Sequence, residues 1–316
     1  MPRRLLRFLA LCALVACTLE LRAQRGAPIQ QGQQGQQGQQ QRDAIPPGSR
    51  VEYKTFQSKL LARELRYAIY LPKSYAASNT RYPILYFLHG LQENEMRWST
   101  RGQADLKLDG MVSEGKIGEF IVAIPFAATS FYTNTRDGSE PWEDMVIKEF
   151  IPLIETSYRV NNTRQNRGIS GISMGGYGAL KIALRNPDMF GAVSAHSPAL
   201  IEDFSTTNVA GRRLQMFEAL FDRIYGMKQD LVYWDQNNPL TLVRNTGRLN
   251  GLKIYVDCGT EDEYGFYLGT KTFGDILTKA SYAHEVHLYP GNHGWDYAAR
   301  HVPESLQFHW RAFRGL

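Results

Sequence analysis

Gly171-Ile172-Ser173-Met174-Gly175 sets one serine between two glycines. A free hydroxyl is a weak nucleophile, and attack on an ester carbonyl also needs a base and donors for the developing oxyanion. A Gly-x-Ser-x-Gly run serves that chemistry where it makes a sharp strand-to-helix turn. The glycines let the chain double back without Cβ clashes, and the serine projects from the end of the sheet. The context fits. Gly168-Ile169-Ser170 is strand-like, Gly176 adds a third glycine, and Leu180, Ala183 and Leu184 share one helical face before Asn186-Pro187. The bland alternative is a structural turn, and that placement weakens it.

In a sheet that presents a nucleophile this way the chain order is serine, then acid, then histidine. Of the histidines after Ser173, His196 comes before any plausible acid loop, while His301 and His309 lie in the terminal helix. His284 and His287 flank or enter a strand, where a structural histidine is the better reading. His293 sits in the turn-rich Pro290-Gly291-Asn292-His293-Gly294-Trp295, directly after that strand, and is the expected base. The acid belongs on the loop after the Leu252–Val256 strand, where Asp257, Glu261, Asp262 and Glu263 all qualify. Spacing alone does not choose among them.

The oxyanion needs backbone donors, and His89-Gly90-Leu91 follows an apolar strand at the place where this architecture keeps one. The N–H groups of Leu91 and Met174 are the expected pair, with the His89 side chain shaping the turn. Phe131, Tyr132, Trp142 and Trp295 lie in or beside the loops at that end of the sheet and are expected to bind substrate, although any one of them could equally be packing. No metal and no organic cofactor is expected. His284-x-x-His287 lies on a strand, which points the two rings to opposite faces. Cys258 has no histidine beside it to make a thiolate.

These residues need a frame that carries them to one edge. Ile84–Leu88, Ile121–Ile124, Ala192–Ala195, Leu252–Val256 and Glu285–Leu288 are short apolar runs, as expected of strands buried on both faces. Between Trp142 and Tyr158, Val146, Phe150, Leu153 and Ile154 recur at helical spacing, and a last helix is expected from near Pro303. Strands alternating with helices imply an α/β fold with a mostly parallel central sheet flanked by helices. Glu52–Gln57 and Leu65–Leu71 predict an N-terminal antiparallel edge hairpin. Glu202–Asn245, helical around Leu214–Tyr225, predicts a small helical cap.

The first residues are not fold. Arg3, Arg4 and Arg7 precede an apolar run from Phe8 to Leu19, too short to span a bilayer, which reads as an export signal over 1–23. Leu14-Val15-Ala16-Cys17 offers a second reading, since it resembles a bacterial lipobox that would make Cys17 a lipid anchor. Leu21 fits poorly as the third residue before a cut after Ala23, and Thr18-Leu19-Glu20 fits poorly after a lipidated cysteine, so both readings stand. Either implies a periplasmic or secreted protein. Residues 24–48 are a Gln/Gly-rich tract that cannot bury enough apolar surface to fold, hence a disordered linker before one domain over 49–316. The formal charge of +5 owes three units to residues 1–23 and leaves about +2, no footprint for nucleic acid. Cys12 and Cys17 lie in the signal, so Cys258 is left with no internal disulfide partner.

Together these motifs resemble the esterase D-like putative esterase family, which includes S-formylglutathione hydrolases, tributyrin, feruloyl and acetylxylan esterases, and mycolyltransferases. Arg81–Gly90 resembles its oxyanion strand, Ser130–Asn134 the loop before its helix, and Gly171–Gly178 its serine turn. Cys258–Asp262 and Gly291–Trp295 resemble its acid and base loops. The resemblance implies an α/β-hydrolase fold, selects Asp262 as the acid, and implies hydrolysis of a small-molecule or carbohydrate ester. Acyl transfer to a sugar hydroxyl is the runner-up. A catalytically idle carbohydrate-binding module is the reading from another class, and the complete set of Ser173, Asp262 and His293 argues against it.

Overall fold

The computed structural model describes residues 48, 50–202, 217–226 and 231–316. The chain divides into two units, Met1–Arg42 and Asp43–Leu316. The expected signal, Cys17 and all of the Gln/Gly linker except Gly48 lie outside the described residues, as do 203–216 and 227–230 of the expected cap. No helix among the described residues is long and apolar enough to cross a membrane.

Eight strands form one sheet. They are β1 (Val51–Ser58), β2 (Arg63–Tyr70), β3 (Ile84–Leu88), β4 (Ile121–Pro125), β5 (Arg167–Ile172), β6 (Ala192–His196), β7 (Lys253–Gly259) and β8 (Glu285–Tyr289). Their order across the sheet is β1-β2-β4-β3-β5-β6-β7-β8. β1 and β2 are the expected antiparallel hairpin, and β2 also runs antiparallel to β4. From β4 to β8 every pairing is parallel.

The main helices are α1 (Ala104–Ser113), α2 (Ile151–Ser157), α3 (Met174–Arg185), α4 (Glu218–Tyr225), α5 (Leu231–Asn237), α6 (Phe266–Lys279) and α7 (Trp295–Phe313). Alternation along β3 shows how they cover the sheet. Ile84, Tyr86 and Leu88 enter a core with residues of α2, α3 and α6, while Leu85 and Phe87 enter a second core with residues of α1 and α7. Fully burying one such side chain contributes roughly 1.5–3 kcal/mol, so a strand apolar on both faces is held from both sides.

Three boundaries depart from the expectations. β7 runs on to Gly259, which puts Asp257 and Cys258 inside the sheet. α7 starts at Trp295, not near Pro303, and carries Pro303 within it. One missing N–H bond is tolerated in a helix of 19 residues whose apolar face is buried along its length. The segment from Trp142 begins as a short α turn, passes through a π turn at Met145–Phe150, and becomes α2. Because the strands from β3 onward are parallel, their carboxyl ends share one edge, and the loops that leave them meet there.

Candidate active site

β5 passes into α3 through Ser173, whose φ of +56° and ψ of −117° are unfavourable for a residue with a side chain. Its backbone is pinned on both sides. The N–H donates to the His196 carbonyl at 2.9 Å, and the carbonyl accepts from Tyr177 N and Ala199 N. The glycines are required by contact. A Cβ on Gly171 would come within 2.3 Å of the Gly175 carbonyl, and one on Gly175 within 1.9 Å of the Leu88 oxygen. The start of α3 is thereby pressed against the end of β3.

The loop after β8 turns through Gly291 and brings His293 over this turn, where its Nε2 lies 3.0 Å from Ser173 Oγ. Its Nδ1 lies 2.8 Å from Asp262 Oδ2. The Asp262 side chain has no exposed surface and that of His293 only 13%. Asp262 Oδ1 accepts from Tyr264 N at 2.8 Å, and the Cys258 thiol approaches Oδ2 at 3.5 Å. A carboxylate at Nδ1 holds the ring proton there and leaves the Nε2 lone pair facing the hydroxyl. None of the other three acid candidates bonds the His293 ring. Asp257 pairs with His196 inside the sheet, Glu261 is exposed, and Glu263 accepts from the backbone N–H of His293 at 3.1 Å.

On the near side of Ser173, His89 follows Leu88, the last residue of β3. Its Nε2 accepts from Ala127 N at 3.0 Å and its Nδ1 donates to the Gly90 carbonyl at 2.8 Å. This ring is neutral, for burial lowers it to about 4. Leu91 follows. Met174 opens α3, so its N–H has no acceptor within the helix. Among the described residues neither the Leu91 nor the Met174 N–H has a hydrogen-bond partner.

A cavity of about 160 Å³ opens above Ser173 and His293. Gly90, Leu91, Gln92 and Glu93 form one wall, and Phe131, Phe217 and Phe221 another; Tyr264 and Phe266 stand beside His293. The Tyr264 and Phe266 rings meet the imidazole edge-to-face at 4.9 and 5.5 Å. Of the four aromatics expected to bind substrate, Phe131 alone lines this cavity. Tyr132 is fully buried and its hydroxyl donates to the His89 carbonyl at 3.2 Å. Trp142 is core, and Trp295 turns its indole N–H to Glu93 Oε1 at 2.6 Å. The reason lies in the backbone. Phe131 and Tyr132 both have positive φ, so adjacent rings diverge, one into the cavity and one into the core. Lys181 holds that loop from beneath by donating to Tyr132 O at 2.7 Å and to Glu143 Oε2 at 2.8 Å, while burial lowers its ammonium to about 8.

Reasoning from sequence missed Glu93, Phe217, Phe221, Tyr264 and Phe266. Two signals were available. Tyr264 and Phe266 continue the acid loop, and Phe217 and Phe221 are spaced four apart on one helical face.

A second serine–histidine constellation lies below the sheet's edge. Ser194 Oγ donates to Ser170 Oγ at 2.7 Å and meets His309 Nε2 at 2.9 Å, and His196 bridges Asp257 at 2.7 Å and Ser305 at 2.9 Å. These are separate chains of bonds, and every member is buried. A serine sealed there cannot meet an ester, and the bonds serve to join β5, β6, β7 and α7. Among the described residues no group of three His, Cys, Asp or Glu side chains is placed to hold a metal ion.

Known proteins resemble this chain in sequence and in fold. An endo-1,4-beta-xylanase/feruloyl esterase of Xylanibacter ruminicola is 34% identical over 148 residues, which are 45% of this chain and 20% of that protein. An esterase of Mycobacterium tuberculosis is 28% identical over 267 residues, 77% of this chain and 56% of the relative. The chain thus spans a fifth of the one and about half of the other. A solved ferulic acid esterase superposes with a TM-score of 0.73 at 27% identity, covering 84% of this chain and 98% of that one. The putative esterase family is matched over residues 58–308, from the end of β1 well into α7. The chain belongs to the putative esterase family.

Proposed function

We propose that this chain hydrolyses carboxylic esters through an acyl-enzyme on Ser173. The reading is carried by the continuous hydrogen-bond chain Ser173 Oγ–His293 Nε2 and His293 Nδ1–Asp262 Oδ2, at 3.0 and 2.8 Å, ending at the floor of a cavity. Ser173 Oγ attacks the carbonyl carbon while His293 Nε2 takes its proton. The oxyanion accepts from Leu91 N–H and Met174 N–H, which the close packing of Gly175 on Leu88 supports by drawing the two donors together. Such a donor is typically worth about 2.7–4 kcal/mol in the transition state. The imidazolium then protonates the leaving alcohol. Water, deprotonated by the same nitrogen, attacks the acyl-enzyme and frees the acid and Ser173.

The acyl group we infer is short or a compact aryl. About 160 Å³ is close to the roughly 150 Å³ that takes up one benzene ring, and Phe131, Phe217 and Phe221 supply apolar walls. No described lining residue is Lys or Arg, while Glu93 contributes a carboxyl, so a neutral acyl group fits and an anionic one lacks a counter-charge. Two of the relatives are named feruloyl or ferulic acid esterases, which supports a compact aryl ester.

The test is a panel running from p-nitrophenyl acetate to longer acyl chains, methyl ferulate and acetylated glycans. We expect kcat/KM to peak at short acyl or compact aryl esters and to fall beyond about eight carbons, since each CH₂ gains about 0.8 kcal/mol only while it finds room. Full activity in Ser173→Ala would overturn the acyl-enzyme. A maximum at twelve carbons or longer would overturn the compact pocket.

A further inference from the structure

We propose that Glu93 is a positioning residue, a clamp that ties the turn carrying the Leu91 N–H to the loop carrying His293. The role rests on the reading of Ser173, His293 and the Leu91 donor given above.

The carboxylate joins two segments 202 residues apart. Its Oε2 accepts from Gly90 N–H at 3.0 Å, and its Oε1 accepts from the indole N–H of Trp295 at 2.6 Å. Trp295 stands two residues beyond His293 and cannot swing. Its ring packs 6.1 Å from that of Phe87, and a Cβ on Gly102 would come within 2.7 Å of it. The indole is therefore a fixed post against which the turn is fastened.

What the turn gains follows from the planarity of the peptide bond. The Gly90 carbonyl and the Leu91 N–H belong to one trans unit and point in opposite directions. His89 Nδ1 donates to that carbonyl at 2.8 Å, and Glu93 N closes the turn onto it at 3.3 Å. With the carbonyl held from one side and the preceding Gly90 N–H held by Glu93 Oε2, the peptide plane cannot rotate. The direction of the Leu91 N–H is then set before substrate arrives, and preorganised donors of this kind dominate oxyanion stabilisation.

The residue type is specific. Both partners are N–H donors, so the group between them must accept twice. A carboxylate does so through its two oxygens, with bonds strengthened by its charge. A carboxamide offers one oxygen and must turn its NH₂ against a second donor. Burial holds this carboxyl above its ordinary range, while the two donated bonds and the nearby His293 and Arg101 act in the opposite direction.

The experiment compares full-length wild type with Glu93→Gln, Trp295→Phe and the double variant, using p-nitrophenyl acetate and with Ser173→Ala as control. Thermal midpoints report on the fold. We expect kcat to fall at least tenfold in Glu93→Gln with KM changed by less than about threefold. Trp295→Phe, which keeps the ring and removes only the donor, should lower kcat in the same direction. The double variant should be no slower than Glu93→Gln, because both substitutions open one clamp. If Glu93→Gln does not fold, Trp295→Phe carries the test by its own split between kcat and KM. Unchanged kcat in the folded variants overturns the clamp. So does a rise in KM with kcat intact, which would mean that Glu93 touches substrate, and so do fully additive effects. Activity surviving in Ser173→Ala would instead overturn the acyl-enzyme reading on which the clamp depends.

Discussion

Asp262 accepts hydrogen bonds from three directions: the His293 ring, the Tyr264 backbone N–H and, more distantly, the Cys258 thiol. A side chain without exposed surface and so fully engaged has little freedom to adopt another role. Its replacement by Asn keeps the shape but presents an NH₂ where the imidazole N–H must donate, which favours the wrong tautomer. Asp262→Asn should therefore lower kcat by about 10⁴-fold, as wrong-tautomer variants do in other triads, with an unchanged circular dichroism spectrum. Near-normal turnover in that variant would move the acid to another residue. The meeting of Ser173 and His293 was legible in the sequence because glycine-framed turns after apolar strands leave little choice of position. The acid was not, since four carboxylates follow the apolar run Leu252–Val256 and nothing in the spacing tells where the strand stops. It stops at Gly259, two residues later than the Asp257 at which an apolar run ends, and only then does the loop that meets His293 begin.

Among the elements, α4 bears most directly on the compact acyl pocket proposed above. Phe221 packs against Phe131 at 5.2 Å, so the helix closes that side of the cavity with an aromatic contact. Phe221→Ala should enlarge the cavity and move the best acyl chain to a longer one, while short esters lose kcat/KM. Stability should fall by up to about 3 kcal/mol, the low end for a Phe→Ala change, because the site is at the edge of the core. A chain-length series and urea midpoints for both proteins read these outcomes, and an unmoved optimum would remove α4 from the pocket. The cap was visible only as a helical stretch too long for a simple crossover. Its aromatics could not be assigned to the pocket from sequence, because contacts between α4 and the loop after β4 join residues 90 positions apart. Trp142 and Trp295, expected to bind substrate, lie outside the cavity lining for the converse reason. They lie close in sequence to the right edge of the sheet, but the backbone turns their rings into packing.

For the whole molecule, the strands were legible one by one and their order was not. Apolar runs mark β3, β4, β6 and β7, yet the placement of β4 between β2 and β3 depends on pairing that no local pattern records. The assembled molecule also sets its own tolerance of acid. Burial lowers His89 to about 4 and His309 to about 3, so both remain neutral in the fold. As pH falls through about 6.5, the unfolded chain takes up these protons and the native one does not. Their contribution is complete above that value and is lost as pH falls towards the folded values, at roughly 1.4 kcal/mol per pH unit for each group. Urea midpoints should therefore drop between pH 6.5 and 5, and the drop should be shallower in His309→Gln than in wild type. Parallel curves for the two proteins would contradict the assignment.

The left-handed backbone at Ser173 has a consequence for anyone who improves this protein by selection. A non-glycine residue in that conformation costs about 1–3 kcal/mol, and glycine escapes most of that cost even after its greater freedom in the unfolded chain is counted. Ser173→Gly should therefore melt later than Ser173→Ala by the equivalent of about 1 kcal/mol, which differential scanning calorimetry can resolve. Equal melting temperatures would mean that the turn is relaxed. A library screened for heat resistance alone would drift towards glycine at this position and, with Ser173 the proposed nucleophile, deliver a sturdier protein with nothing left to attack an ester. Turnover has to be demanded in every round, because the gradient of stability at residue 173 points away from activity.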